Sequence, residues 1–163
     1  MTGMKVLATW GIINTLEGII GSLNSDQSEW KHFHQMNAAW GVVNLSIAGL
    51  GYMGARKEFK KVYGSTDALH RYESTKRLYL INAGLDGLYI STGVFLNEYA
   101  RRSTTHSELF HGFGKSLMLQ GAGLLLFDIS MFSAHHHQDK AWYKAMKGIC
   151  LTEQGIGWRW VMN

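Results

Sequence analysis

GFGKSLMLQGAGLLLFDISMFS, residues 112–133, is the stretch whose reading decides the fold. At 1.5 Å per residue a helix of this length covers about 30 Å, the thickness of a bilayer's hydrocarbon core. It carries only Lys115, Gln120 and Asp128 among strongly polar residues. Three further blocks have the same character: residues 4–23 (MKVLATWGIINTLEGIIGSL), 36–54 (MNAAWGVVNLSIAGLGYMG) and 78–96 (LYLINAGLDGLYISTGVFL). Each holds one to three strongly polar side chains, so each is a marginal span alone and reads as one member of a bundle. The expected fold is all-α: a transmembrane four-helix bundle over residues 1–147, followed by a short amphipathic hairpin or tail over 148–163.

Composition fits one such domain. The 163 residues include 19 glycines, six tryptophans and no proline, and charged residues are 17% of the chain, against about 25% in a typical soluble domain. The mean hydropathy of −0.10 is low for a multi-span protein. Histidine, asparagine, glutamine and tyrosine lower it, many of them in connectors, so local pattern decides over the average. Cys150 is the single cysteine, which excludes an intrachain disulfide and any cysteine-based metal site. The N-terminal block carries Trp10, Asn14 and Glu17 and no signal-peptide cleavage pattern, so it reads as a retained helix. A net charge of +4 could suggest nucleic acid, but the basic residues flank apolar blocks instead of clustering with aromatics on one face.

Connector charge sets an expected orientation. Arg56, Lys57, Lys60, Lys61, Arg71, Lys76 and Arg77 lie between blocks two and three, whereas the other two connectors hold only Lys31, Arg101 and Arg102. The positive-inside rule then places that connector and both termini in the cytoplasm, as in a multi-pass protein of the inner membrane. Ser65-Thr66-Asp67 supplies N-cap residue types for the third helix. The polar run Ala134–Lys147 reads as a helical extension that Gly148 ends. Beyond it, alternation around Gln154-Gly155 reads as a hairpin, with Trp158 and Trp160 on one face.

The blocks echo one another. Trp10-Gly11-Ile12-Ile13-Asn14 is matched by Trp40-Gly41-Val42-Val43-Asn44, and Leu88-Tyr89-Ile90-Ser91 more loosely by Phe127-Asp128-Ile129-Ser130. Within blocks, polar residues recur at helical spacing: Asn14 with Glu17, Asn37 with Asn44, Asn82 with Asp86 and Tyr89. A charge at the bilayer centre costs at least about 2.5–3.5 kcal/mol on insertion scales, so these residues are expected to face one another or a wet cavity. Counting along the crossings puts Asn14, Asn44, Asp86 and Gln120 at one depth, with Lys115 available to offset Glu17 or Asp86. Gly11, Gly18, Gly41, Gly84, Gly87, Gly121 and Gly123 are candidates for close helix contact. Two explanations compete for the stripe. One is interhelical hydrogen-bond glue; the other is a site for a small polar solute, ion or proton, with Asn14, Glu17, Asn44, Asn82, Asp86 and Gln120 as ligand-binding candidates.

Seven of the eight histidines fall in two sets, His32, His34, His106 and His111 at the outer ends and His135, His136 and His137 after block four. His34 and His111 are the candidate ligands for a haem or a divalent metal. There is no CxxCH, HExxH or di-iron Glu-x-x-His pattern, and a run of three histidines is often only a solvated surface. No nucleophile motif or phosphate loop is present, so no catalytic residue is assigned and a non-enzymatic role is favoured.

The segments Phe33-His34-Gln35-Met36-Asn37-Ala38-Ala39-Trp40-Gly41-Val42-Val43-Asn44, Asn82-Ala83-Gly84-Leu85-Asp86 and Gly112-Phe113-Gly114-Lys115, with Gln120-Gly121, carry a resemblance. The chain is similar over most of its length, including Gly155-Ile156-Gly157, to a family of uncharacterised bacterial four-span membrane proteins. The resemblance implies the fold and the bilayer and no activity. The leading expectation is a membrane protein that binds or passes a small polar solute, ion or proton, with a homodimer as a plausible assembly. An intramembrane haem or metal redox protein or enzyme, a membrane scaffold subunit, and a soluble bundle with an unusually apolar surface are the alternatives.

Overall fold

The computed structural model describes the backbone of residues 2–58, 65–147, 149–152 and 155–158, and side chains within 2–58, 70–71 and 73–137. Four helices carry the chain: α1 (Thr2–Asn24), α2 (Ser28–Glu58), α3 (Ser65–Ala100) and α4 (Ser107–Lys147). They contain the four expected blocks and run past them. α4 continues through the polar run after residue 133, where no proline or glycine interrupts the helix before Gly148. The strands β1 (Ile149–Thr152) and β2 (Gly155–Trp158) then pair antiparallel, with Ile149 opposite Trp158 and Thr152 opposite Gly155. Trp160, expected beside Trp158, and the connector residues 59–64 lie outside the described residues.

Short connections make two antiparallel helical hairpins. α1 and α2 are separated by residues 25–27, and Lys31 N donates to Gln27 O at 3.0 Å as α2 begins. α3 and α4 are joined by 101–106, where Arg102 N donates to Tyr99 O at 3.0 Å and His106 N to Ser103 Oγ at 3.2 Å. These bonds use backbone groups that a helix end leaves without an intrahelical partner.

Each hairpin crosses at a mutual glycine contact. A Cβ on Gly41 would lie 2.5 Å from Thr15 N and 2.7 Å from Gly11 O, and one on Gly11 2.9 Å from Gly41 O. In the second hairpin a Cβ on Gly93 would lie 2.6 Å from Gly114 O, and one on Gly114 2.7 Å from Gly93 O. Backbone therefore packs on backbone, as small residues allow between apolar helices. Gly112 joins the hairpins: its Cβ would meet Glu29 O at 2.5 Å and Phe33 N at 2.8 Å, so α4 runs beside α2.

Gly84 and Gly87 depart from the expected contacts, since a Cβ on either meets nothing within 4 Å. The cause is helical phase. Asp86 and Gly93, two turns apart, turn the opposing face of α3 toward α4, and residue 84 lies on the far side from Asp86.

The interior is polar. Asn37 and Asn44 are each 1% exposed and Ser116 and Gln120 fully buried, whereas the buried apolar side chains among the described residues are Leu7, Ala48, Ala100 and Leu117. Large apolar side chains lie on the outside of all four helices, among them Ile20, Leu50, Leu88, Phe95 and Leu126, the last 69% exposed.

Candidate functional site

Gln120, on the inner face of α4, is the hub of the interior. Its Oε1 accepts from Trp10 Nε1 at 3.1 Å and from Asn44 Nδ2 at 3.4 Å. Its Nε2 donates to Asn14 Oδ1 at 2.6 Å and to Asn37 Oδ1 at 3.1 Å. An amide has two donor protons and two acceptor lone pairs, so this side chain is saturated by three other side-chain amides and one indole. Asn14 Nδ2 turns back to Trp10 O at 2.8 Å, and Ser116 Oγ donates to Asn37 Oδ1 at 2.6 Å.

The Trp-Gly-x-x-Asn echo of the first two blocks acquires a physical reason here. The two motifs sit on antiparallel helices that cross at Gly11 and Gly41, and each contributes an asparagine to Gln120. Trp10 spends its indole N–H on the same hub. Trp40 does not: its Nε1 is buried without a hydrogen-bond partner, and its ring packs edge-on to Tyr89 at 4.9 Å.

One end of the network reaches the surface. Asn37 Nδ2 donates to Glu17 Oε2 at 3.3 Å, and His34 Nδ1 lies 2.6 Å from Glu17 Oε1. Glu17 is 44% exposed, so this pair forms a rim. Lys115 belongs to that end too. In place of the expected Glu17 or Asp86, its Nζ lies 2.5 Å from Glu29 Oε1 and 4.8 Å from the centre of the Trp30 ring. Gly112, one turn before Lys115 on α4, packs on the backbone of Glu29, which brings the ammonium to the start of α2.

The other end of the interior holds two acids. Asp86 on α3 and Asp128 on α4 are 3% and 4% exposed, and their carboxyl groups approach within hydrogen-bonding reach. Asp86 Oδ2 is buried without a hydrogen-bond donor. Gly121 lets the helices close at this level, since a Cβ there would stand 2.8 Å from Asp86 O. Beyond Asp128, the Tyr79 ring lies 5.4 Å from His135.

The candidates named from sequence thus separate. Asn14, Asn44 and Gln120 converge, Glu17 caps their network from the rim, and Asp86 faces Asp128 instead of the amides. Asn82 is exposed, four residues before Asp86 but on the outside of α3. His34 is engaged with Glu17, while His111 Nδ1 is hydrogen-bonded to Asn97 Oδ1. No group of three or more metal-binding side chains occurs among the described residues. Ser116 and the Asp128 partnership were missed by sequence reasoning. The available signal was spacing: Ser116, Gln120 and Asp128 follow at four and eight residues and share one face of α4.

A family model described as a family of unknown function matches residues 6–129. The chain belongs to the DUF6992 family. The match spans the bundle from α1 to Asp128 and so contains every interior polar residue described above. No curated protein and no solved structure matches the chain.

Proposed function

We propose that this DUF6992 chain is an integral membrane protein that crosses the bilayer four times and holds a small polar solute, ion or proton between its helices. The observation that carries the reading is the inverted packing: amides and acids inside, and large apolar side chains, Leu and Ile among them, outside on every helix. Water penalises such an exterior, because contiguous exposed apolar area beyond a few hundred Å² is rare on soluble monomers. Hydrocarbon favours it and, by the same physics, drives asparagine and aspartate inward.

Two helices, Thr2–Asn24 and Ser107–His137, are by themselves long and apolar enough to cross a membrane. α2 and α3 fall short because they carry polar residues through their central turns, and Asn37, Asn44 and Asp86 among them are withdrawn from the exterior. In a bundle, those residues cost little insertion energy once paired.

The site splits into two tasks. The Gln120 network is glue, because both donors and both acceptors of Gln120 are used within it and leave none free for a ligand on the hub. Asp86 retains a free acceptor, and the ligand belongs there. The Lys and Arg content of the basic connector and both termini supports a cytoplasmic position for them at the inner membrane. Haem or metal chemistry at His34 and His111 draws no support from their separate partners, Glu17 and Asn97.

The experiment is an alkaline carbonate wash of membranes from expressing cells, followed by detergent extraction. Retention through the wash with release by detergent is expected. Release by carbonate alone would mean a peripheral or soluble bundle and would end the proposal.

A further inference from the structure

The Asp86–Asp128 pair allows the ligand to be named, on the footing that the bundle lies in a membrane as proposed above. Two carboxyl groups in contact, nearly without solvent, cannot both be charged: like charges a few ångströms apart in a poorly screened interior repel by several kcal/mol. Neither acid has an ion-pair partner among the described residues, and Lys115 is committed to Glu29 at the other end of the bundle. Something positive must therefore sit between them. Calcium and magnesium take six or more oxygens and zinc at least three protein ligands, and no third metal-binding side chain joins the pair among the described residues. A proton needs only the two oxygens.

The unsatisfied atom points the same way. Asp86 Oδ2 is buried and meets no donor from the protein. A carboxylic O–H shared with Asp128 supplies the buried pair with a donor that two carboxylates lack. We propose that Asp86 and Asp128 hold one exchangeable proton between them, so that the interior site is a proton site and not a solute or metal site.

The groups facing the pair suit that role. From α3, Tyr79 stands beside Asp128 and Tyr89 one turn beyond Asp86; from α4, His135 contacts the Tyr79 ring. On the α2 side Trp40, which does not ionise, packs on Tyr89. Tyr79 and His135 lead from the buried pair toward the basic end of the bundle, where a proton can enter or leave. The amide network lies toward the opposite end and closes that side, because amides do not ionise and offer no ready proton hop.

Dicyclohexylcarbodiimide tests this on the wild-type chain in its membrane, so no variant has to fold. The reagent modifies carboxyl groups that are protonated in apolar surroundings. Their O–H proton passes to a carbodiimide nitrogen as the carboxylate oxygen bonds to the central carbon, and acyl transfer from oxygen to nitrogen leaves a stable acylurea. Intact mass and peptide mapping of detergent-extracted, carbonate-washed protein are expected to show one added equivalent, on Asp86 or Asp128, and no second. The same experiment with Asp86→Asn/Asp128→Asn is expected to show none on these peptides. Protein retained in the membrane with neither aspartate modified overturns the proton assignment and leaves the membrane reading standing. Modification abolished by added sodium or potassium ions overturns it as well, in favour of a metal-cation site. Release of the protein by carbonate would instead overturn the membrane reading on which the inference rests.

Discussion

Replacing Gln120 by leucine keeps most of the volume of the hub and removes every hydrogen bond it makes. Four bonds disappear: those from Trp10 Nε1 and Asn44 Nδ2, and those to Asn14 Oδ1 and Asn37 Oδ1. Asn37 Oδ1 keeps Ser116 as a donor, so three groups are left short of a partner. Interhelical hydrogen bonds within membranes average about 0.6 kcal/mol and reach about 1.7, which puts the loss for four bonds at about 2 kcal/mol or somewhat more. That is roughly a thirty-fold change in the ratio of folded to unfolded protein. The assay is reversible unfolding in mixed micelles, titrating a denaturing detergent against a mild one and following tryptophan fluorescence. Asn82→Ala, at an exposed position of α3, is the reference and should stay within about 0.5 kcal/mol of wild type. If Gln120→Leu also stays within that margin, the amide network is not what binds the helices to one another.

Glycine positions give a second check. Gly41→Ala places a Cβ 2.5 Å from Thr15 N and 2.7 Å from Gly11 O; both are backbone atoms, so the α1–α2 crossing must open at a cost of about 1–3 kcal/mol. Gly49→Ala on the same helix meets nothing within 4 Å and should be neutral or stabilising by about 0.5–1 kcal/mol in the same unfolding assay. Equal effects at the two positions would contradict the crossing. A double-mutant cycle of Glu29→Gln and Lys115→Met should return a coupling of only about 0–1 kcal/mol, since both side chains keep solvent contact at 29% and 37% exposure. A much larger coupling would move that pair into the interior.

Much of the architecture was legible in the chain. The four apolar blocks became four helices because each is long enough, free of proline and bounded by polar turns. The inward placement of Asn14, Asn37, Asn44 and Asp86 followed from helical period combined with the cost of exposing them on an apolar outside. The pairing of those residues was less accessible. Which helix lies beside which, and at what vertical offset, is set by the glycine crossings at Gly11–Gly41 and Gly93–Gly114, and no single block encodes both halves of a contact. Depth counting puts Asp86 level with Gln120, and its backbone does pack on Gly121 there, but its carboxyl group reaches along the bundle to Asp128 instead of to the amides. Lys115 was assigned an interior acid for want of a nearer one. The approach of α2 to α4 at Gly112 supplies Glu29 and the Trp30 ring instead. Asn82 shares a spacing with Asp86 yet is exposed, because a four-residue step on a helix drifts by about 40° and α4 covers only part of α3.

The account turns on what surrounds the apolar exterior. Single cysteines at Ile20, Leu50, Leu88 and Leu126, one on each helix and each exposed, can carry a nitroxide spin label in a chain whose Cys150 is replaced by serine. With the protein in liposomes, collision rates of each label with oxygen and with a water-soluble nickel chelate report hydrocarbon or water directly. High oxygen and low nickel accessibility are expected at all four positions. Nickel accessibility at these four residues equal to that of a label at Arg102 in the α3–α4 loop would put the exterior in water and contradict the membrane reading.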